Sequence, residues 1–181
     1  MKKITSTRKT VILAFLVAAG ILMQLIEAFF PVPVIVPGYK IGLANIAGLF
    51  ALYAFGIKDM IIVTSLRIFL AALAQGTLFS VAFMLSISGG VFAMIAMSLC
   101  YRARIFSIYG VSVAGAAAHS VGQVLAITAI YQQYFMQLFL PALLALSIVS
   151  GLCIAALTEQ LLKRLAPRLG IKKSKARTKT A

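Results

Sequence analysis

Residues 26–50 read IEAFFPVPVIVPGYKIGLANIAGLF. Pro31, Pro33 and Pro37 and a Pro37-Gly38 pair break an apolar run, and Glu27, Lys40 and Asn45 stand around the break. Proline fixes φ and removes a donor, so no helix runs through this stretch. It ends one apolar helix and begins another, joined by a stiff turn. Polar and charged groups beside such a turn, in a chain with few of them, mark it as more than a linker.

The rest of the chain sets the solvent. Of 181 residues, 62% are hydrophobic and only three are acidic, with a mean hydropathy of +1.07. Soluble domains are closer to half apolar and a quarter charged. Helix-length apolar runs exclude a barrel, whose strands are short and alternating. The expected architecture is all-α: a polytopic helix bundle of six transmembrane spans, over roughly 10–29, 41–57, 59–78, 80–100, 107–131 and 136–162. Short connections make consecutive helices antiparallel neighbours in a single transmembrane domain, residues 10–162. A basic N-terminus, 1–9, precedes it, and a basic tail, 163–181, expected to be disordered, follows.

Charge orients the bundle. All of the 17 basic residues except Lys40 and Arg67 fall before the first span, after the last, or in the second and fourth connections. The positive-inside rule places these ends in the cytoplasm, with both termini inside and an even span count. The expected location is the cytoplasmic membrane, multi-pass. The net charge of +14 is read as orientation and attraction to anionic lipid rather than nucleic-acid binding, because no aromatics interleave with the basic residues.

Intramembrane polar residues are costly and therefore the first functional suspects. A ligand site in the outer half is expected from Glu27, Lys40, Asn45, Gln75, His119 and Gln123, with Ser86, Ser88 and the Gly89-Gly90 pair at similar depth and Arg67 lower, toward the inner half. Glu27 and Lys40 also read as a structural pair, and a lone His119 as a hydrogen-bonded core residue. Gly110, Ala114, Ala118 and Gly122 recur every four residues and offer a close-packing face. Ala14 and Ala18 repeat that spacing on the first span.

Other chemistry lacks its residues. Cys100 and Cys153 read as packing residues; one histidine and two distant thiols make no metal site. No P-loop occurs, and Glu27, Asp59 and Glu159 are too dispersed to form the carboxylate clusters that bind magnesium diphosphate. No catalytic residue, metal or cofactor is expected. A positive balance around Lys40, with Arg67 and His119 facing only Glu27, points to an anionic ligand with an apolar body.

LIEAFFPVPVIVPGYKIGLANIAGLFALYAFG, then Arg67, SISGGVFAMIAM and GVSVAGAAAHSVGQ resemble the bacterial membrane family called heptaprenyl diphosphate synthase component I, also known as the Gx transporter family. The resemblance covers roughly residues 20 to 160. Ser120 departs from it, standing where the pattern carries asparagine, so no role passes to that position. The resemblance implies a non-catalytic membrane component of polyprenyl diphosphate synthesis, linked to quinone production and partnered by a soluble synthase subunit. The six-span layout is also similar to the substrate-binding S components of energy-coupling-factor transporters. In that group an A-x-x-x-A stretch, matched in spacing by Ala14 and Ala18, docks a coupling subunit. That likeness implies a small-molecule transport subunit energised by separate transmembrane and ATPase proteins. Polar residues expected in the outer half favour this transport reading.

Overall fold

The computed structural model describes residues 6–29, 42–132 and 134–170. Within them the fold is all-α: α1 Ser6–Phe29, α2 Asn45–Ala54, α3 Ile57–Ala74, α4 Val81–Ala103, α5 Ile108–Tyr131 and α6 Leu140–Arg168, with a 3-10 turn at Tyr134–Phe139 before α6. The proline turn and Lys40 lie outside the described residues.

Each boundary has a local cause. Gly56 at φ +112° separates α2 from α3, and Gly76 at φ +64° follows α3, both in a region that L side chains rarely adopt. Ser80 and Ser107 cap α4 and α5 by accepting the backbone N–H of Phe83 and Gly110. Pro141 occupies the first turn of α6, where its missing N–H costs nothing, and Pro167 lies in the last turn.

Six helices form, but they are not six equal spans. Four segments are long and apolar enough to cross a membrane: Thr7–Glu27, Val81–Ala103, Ile108–Tyr131 and Gln137–Arg168. The chain is therefore a helical membrane protein. The second expected span, 41–57, shortens to the ten residues of α2, a rise of about 15 Å against a core of about 30 Å. Helix α3 has 18 residues but carries Lys58, Asp59 and Arg67. The sixth helix runs past the expected 162 to Arg168.

The short helix is also the best buried. Ala47, Gly48, Leu49, Phe50, Ala51, Leu52 and Ala54 of α2 are all inside, and Leu49, Ala51 and Leu52 join Met60, Val63, Val111 and Ile154 in the main core. A helix apolar all round fits the centre of a bundle. Its neighbours carry the apolar outer surface: Val11, Phe15, Leu22, Ile61, Phe69, Ile95 and Leu99 point outward, where hydrocarbon is the natural solvent. Cys153 belongs to that outer surface rather than to packing, whereas Cys100 is partly buried against the main core.

Contacts between helix ends show that the helices alternate in direction. Lys9 pairs with Asp59 at 2.8 Å, joining the starts of α1 and α3. Tyr53 meets Tyr101 edge-on at 5.3 Å, joining the ends of α2 and α4. The Tyr109 hydroxyl donates to Glu159 at 2.8 Å, joining the start of α5 to the end of α6. Phe50 and Ala54 pack on Ala166, bringing the α2 and α6 ends together. Lys58, Arg102, Arg104, Arg164 and Arg168 share this basic end.

Candidate functional site

Away from the basic end, α1, α2, α3, α4 and α5 enclose a cavity of about 40 Å³ lined by Gln24, Glu27, Gly42, Asn45, Arg67, Ile68, Ser86, His119 and Gln123, among others. That is room for a few waters or one small polar head, not for a whole vitamin or prenyl chain. Of the residues expected to form the site, the fold brings Glu27, Asn45, His119 and Gln123 together here. Gln75 is elsewhere: it is exposed at the end of α3, its side-chain amide donating to the Ala71 carbonyl.

Arg67 is the residue whose place differs most from expectation. It is buried, 6% exposed, and its two terminal nitrogens donate to Gln24 Oε1 at 3.3 Å and Asn45 Oδ1 at 3.2 Å. Arg67 was expected below Asn45, but the shortness of α2 brings the two level. Asn45 is nine residues from the end of α2 and Arg67 eight from Asp59, so each lies about 12–14 Å from the basic end at 1.5 Å per residue. By the same rise Gln24 and Glu27 lie about 22 and 27 Å from Lys9, so the polar site runs from mid-bundle toward the far end of α1. Gly20 makes room for the arginine, since a Cβ there would lie 2.7 Å from Arg67 Cδ.

The remaining walls are set by small residues. A Cβ on Gly89 would come within 2.7 Å of the His119 ring, so the imidazole packs flush against α4. One turn on, a Cβ on Gly122 would lie 2.8 Å from the Ser88 carbonyl, and Ser88 Oγ donates to the Gly122 carbonyl at 2.7 Å. Close approach thus occurs at Gly122 on the expected small-residue stripe and at Gly89 and Gly115 outside it. Gly110 touches Phe106 of the preceding connection, Ala114 and Ala118 are half-buried, and Ala14 and Ala18 of α1 are exposed. Ser120 bonds across to Ser147 at 2.7 Å, tying α5 to α6.

Among the described residues Glu27 forms no ion pair. It accepts the Gly42 N–H at 2.6 Å, and Gly42 adopts φ +80°. The bond fastens the end of α1 to the entry of α2. Ser86, expected at this depth, and Gln24, which was not singled out, complete the wall. Gln24 shares a helix face with Glu27, one turn away, which was the available signal.

These features define a helical membrane protein with a small, strongly polar chamber built around a buried arginine. The chain belongs to the heptaprenyl diphosphate synthase component I family, whose model matches residues 16–161. That match takes in every residue of the chamber. No curated protein and no solved structure matches the chain.

Proposed function

We propose that this chain is a non-catalytic membrane component of polyprenyl diphosphate synthesis, working beside a soluble synthase subunit. The family match over residues 16–161 carries this reading. The carboxylates agree with a non-catalytic role. Asp59 is held by Lys9, Glu159 by Lys163 and Tyr109, and Glu27 by Gly42 N–H. Condensation on a magnesium diphosphate needs several carboxylate oxygens converging on one site, which falls to the partner. The chain spans the cell membrane several times with the basic end and both termini in the cytoplasm, where the partner is reached.

Deleting the chain should lower formation of long-chain polyprenyl diphosphate by membranes, and supplying it again should restore it. Unchanged product length and yield would overturn the reading. For topology, cysteine at position 35 should label from outside intact cells and cysteine at 175 should not; external labelling at 175 would refute the orientation.

A second reading is a ligand-binding transport subunit for a small anionic molecule, energised by coupling and ATPase proteins that dock on the exposed face of α1 at Ala14 and Ala18. The position of the chamber favours it, since a mid-bundle polar site is out of reach of a cytosolic enzyme. Uptake of a labelled ligand that requires this chain, with polyprenyl synthesis intact, would decide for transport. In either reading Lys40→Ala should weaken ligand binding more than Lys58→Ala, because Lys58 sits at the basic end.

A further inference from the structure

We infer that the free edge of Arg67 receives the oxyanion head of an apolar-bodied ligand, and that the chamber recognises this head alone while the body lies outside it. The inference deepens the preceding reading, in which that ligand is a prenyl diphosphate. An arginine this buried is expected to meet a carboxylate, because an uncompensated charge in a low-dielectric interior is costly. Arg67 meets two neutral amide oxygens instead, at 3.2 and 3.3 Å, longer than the 2.7–2.9 Å of charge-assisted bonds. Its Nε–H has no partner among the described residues, and none of their ion pairs includes it. Guanidinium offers five donors in a planar fork that matches phosphate or carboxylate oxygens two at a time.

Arg67 lines a cavity of about 40 Å³, room for a few waters or a small polar group. Glu27 also lines it and accepts the Gly42 N–H at 2.6 Å. It offsets part of the arginine's field from a distance without closing the fork. A ligand oxyanion therefore gains a bidentate partner and meets one opposing charge, and this gives the two residues opposite effects on affinity.

The test uses the full chain in nanodiscs of neutral phosphatidylcholine, probed with geranyl diphosphate, geraniol and inorganic diphosphate. Geranyl diphosphate should bind and raise the Tm, and geraniol should bind at least tenfold more weakly. Arg67→Lys, which keeps the charge but not the fork, should lose tenfold or more in affinity with the unliganded Tm little changed. Glu27→Gln still accepts the Gly42 N–H and should tighten binding several-fold. Should Arg67→Lys not fold, Asn45→Asp serves in its place: it supplies an internal carboxylate to the guanidinium and should abolish anion binding while stabilising the bundle.

Equal binding of the alcohol and the diphosphate would overturn the inference. So would unchanged affinity in Arg67→Lys or Asn45→Asp, or weaker binding in Glu27→Gln. Adding phosphatidate to the disc separates the sources of the head. Competition assigns the site to a bilayer lipid head as well, and its absence reserves it for the prenyl diphosphate; either result keeps the oxyanion at Arg67. If polyprenyl synthesis is indifferent to deletion while geranyl diphosphate still binds through Arg67, the site stands and the accessory role falls. The reverse pattern overturns this inference alone.

Discussion

The two ends of the molecule treat charge in opposite ways. At the basic end each carboxylate has a cation at 2.8 Å, Asp59 with Lys9 and Glu159 with Lys163, and the lysines reach outward to water. In the chamber Arg67 is enclosed, Glu27 turns to a backbone N–H, and amide oxygens are the only acceptors at the guanidinium among the described residues. The first arrangement fastens helix ends through lysines that reach solvent, although Asp59 itself is buried. The second leaves donor capacity inside a membrane protein, where an unmet donor is expensive. Gly20 and Gly89 leave the room that the guanidinium and the imidazole occupy there.

The largest effect should come from closing the chamber's frame rather than from its polar groups. Gly122→Leu drives a side chain into the Ser88 carbonyl, 2.8 Å from where even a Cβ would sit, and backbone cannot swing aside as a flexible side chain can. The cost should reach the upper end of the roughly 1–3 kcal/mol typical of overpacking, seen as a large fall in Tm and in folded yield from detergent. An unchanged Tm would mean that α4 and α5 do not cross this closely, and the chamber with them would be wrong. Ala118→Leu, one turn away and half-buried, should cost less.

Next comes Asn45→Ala. It strips an acceptor from a buried guanidinium and should destabilise by about 1–3 kcal/mol. Arg67→Met should be neutral or stabilising by contrast, since replacing a buried charge and its polar demand by a well-packed apolar group often is. The pair of results sharpens the contrast between the two regions: losing the partner hurts, while losing the charge itself does not, except for ligand binding. A large loss of stability in Arg67→Met would make the arginine a structural tie between α1, α2 and α3.

The class of protein and the gathering of basic residues at one end were legible because hydropathy and charge act over the whole chain. Lys9, Lys58, Arg102 and Lys163 meet at one end as their positions between apolar runs imply. Individual helix lengths were not. The α2 stretch is as apolar as a span, yet its ten residues sit at the centre, and sequence cannot tell a short core helix from one that reaches lipid on both sides. That single length moved Asn45 from the rim to the level of Arg67 and changed the character of the site. His119 and Gln123 were legible from helical spacing, since a fourfold repeat with Gly115 puts them on one stripe. The partnership of Arg67 with Gln24 and Asn45 links residues 43 and 22 positions apart, and no local pattern encodes it.

At the basic end the effects should shrink with exposure. Asp59→Asn removes a buried carboxylate, 10% exposed, from a pair in which the Lys9 side chain is 41% exposed, so the lysine can return to water while the amide keeps a polar group in place. After solvent screening the loss should be about 1 kcal/mol or less, and it should narrow further in high salt.

The smallest effect belongs to Lys163→Ala. Glu159 accepts from Lys163 one helical turn away and also from the Tyr109 hydroxyl, both at 2.8 Å. Removing the lysine leaves the carboxylate with the tyrosine that joins α5 to α6, and the lysine side chain is 61% exposed, so water replaces it with little change. A pair between exposed residues four apart on one helix adds little to stability and is weakened by salt. The Tm of Lys163→Ala should match the parent chain within error at high ionic strength, and Tyr109→Phe should lower it more, because the tyrosine bond crosses between helices. A drop for Lys163→Ala comparable to that of Asn45→Ala would show that the end of α6 is enclosed by a partner or by lipid, and the division between a screened end and an unscreened chamber would not hold.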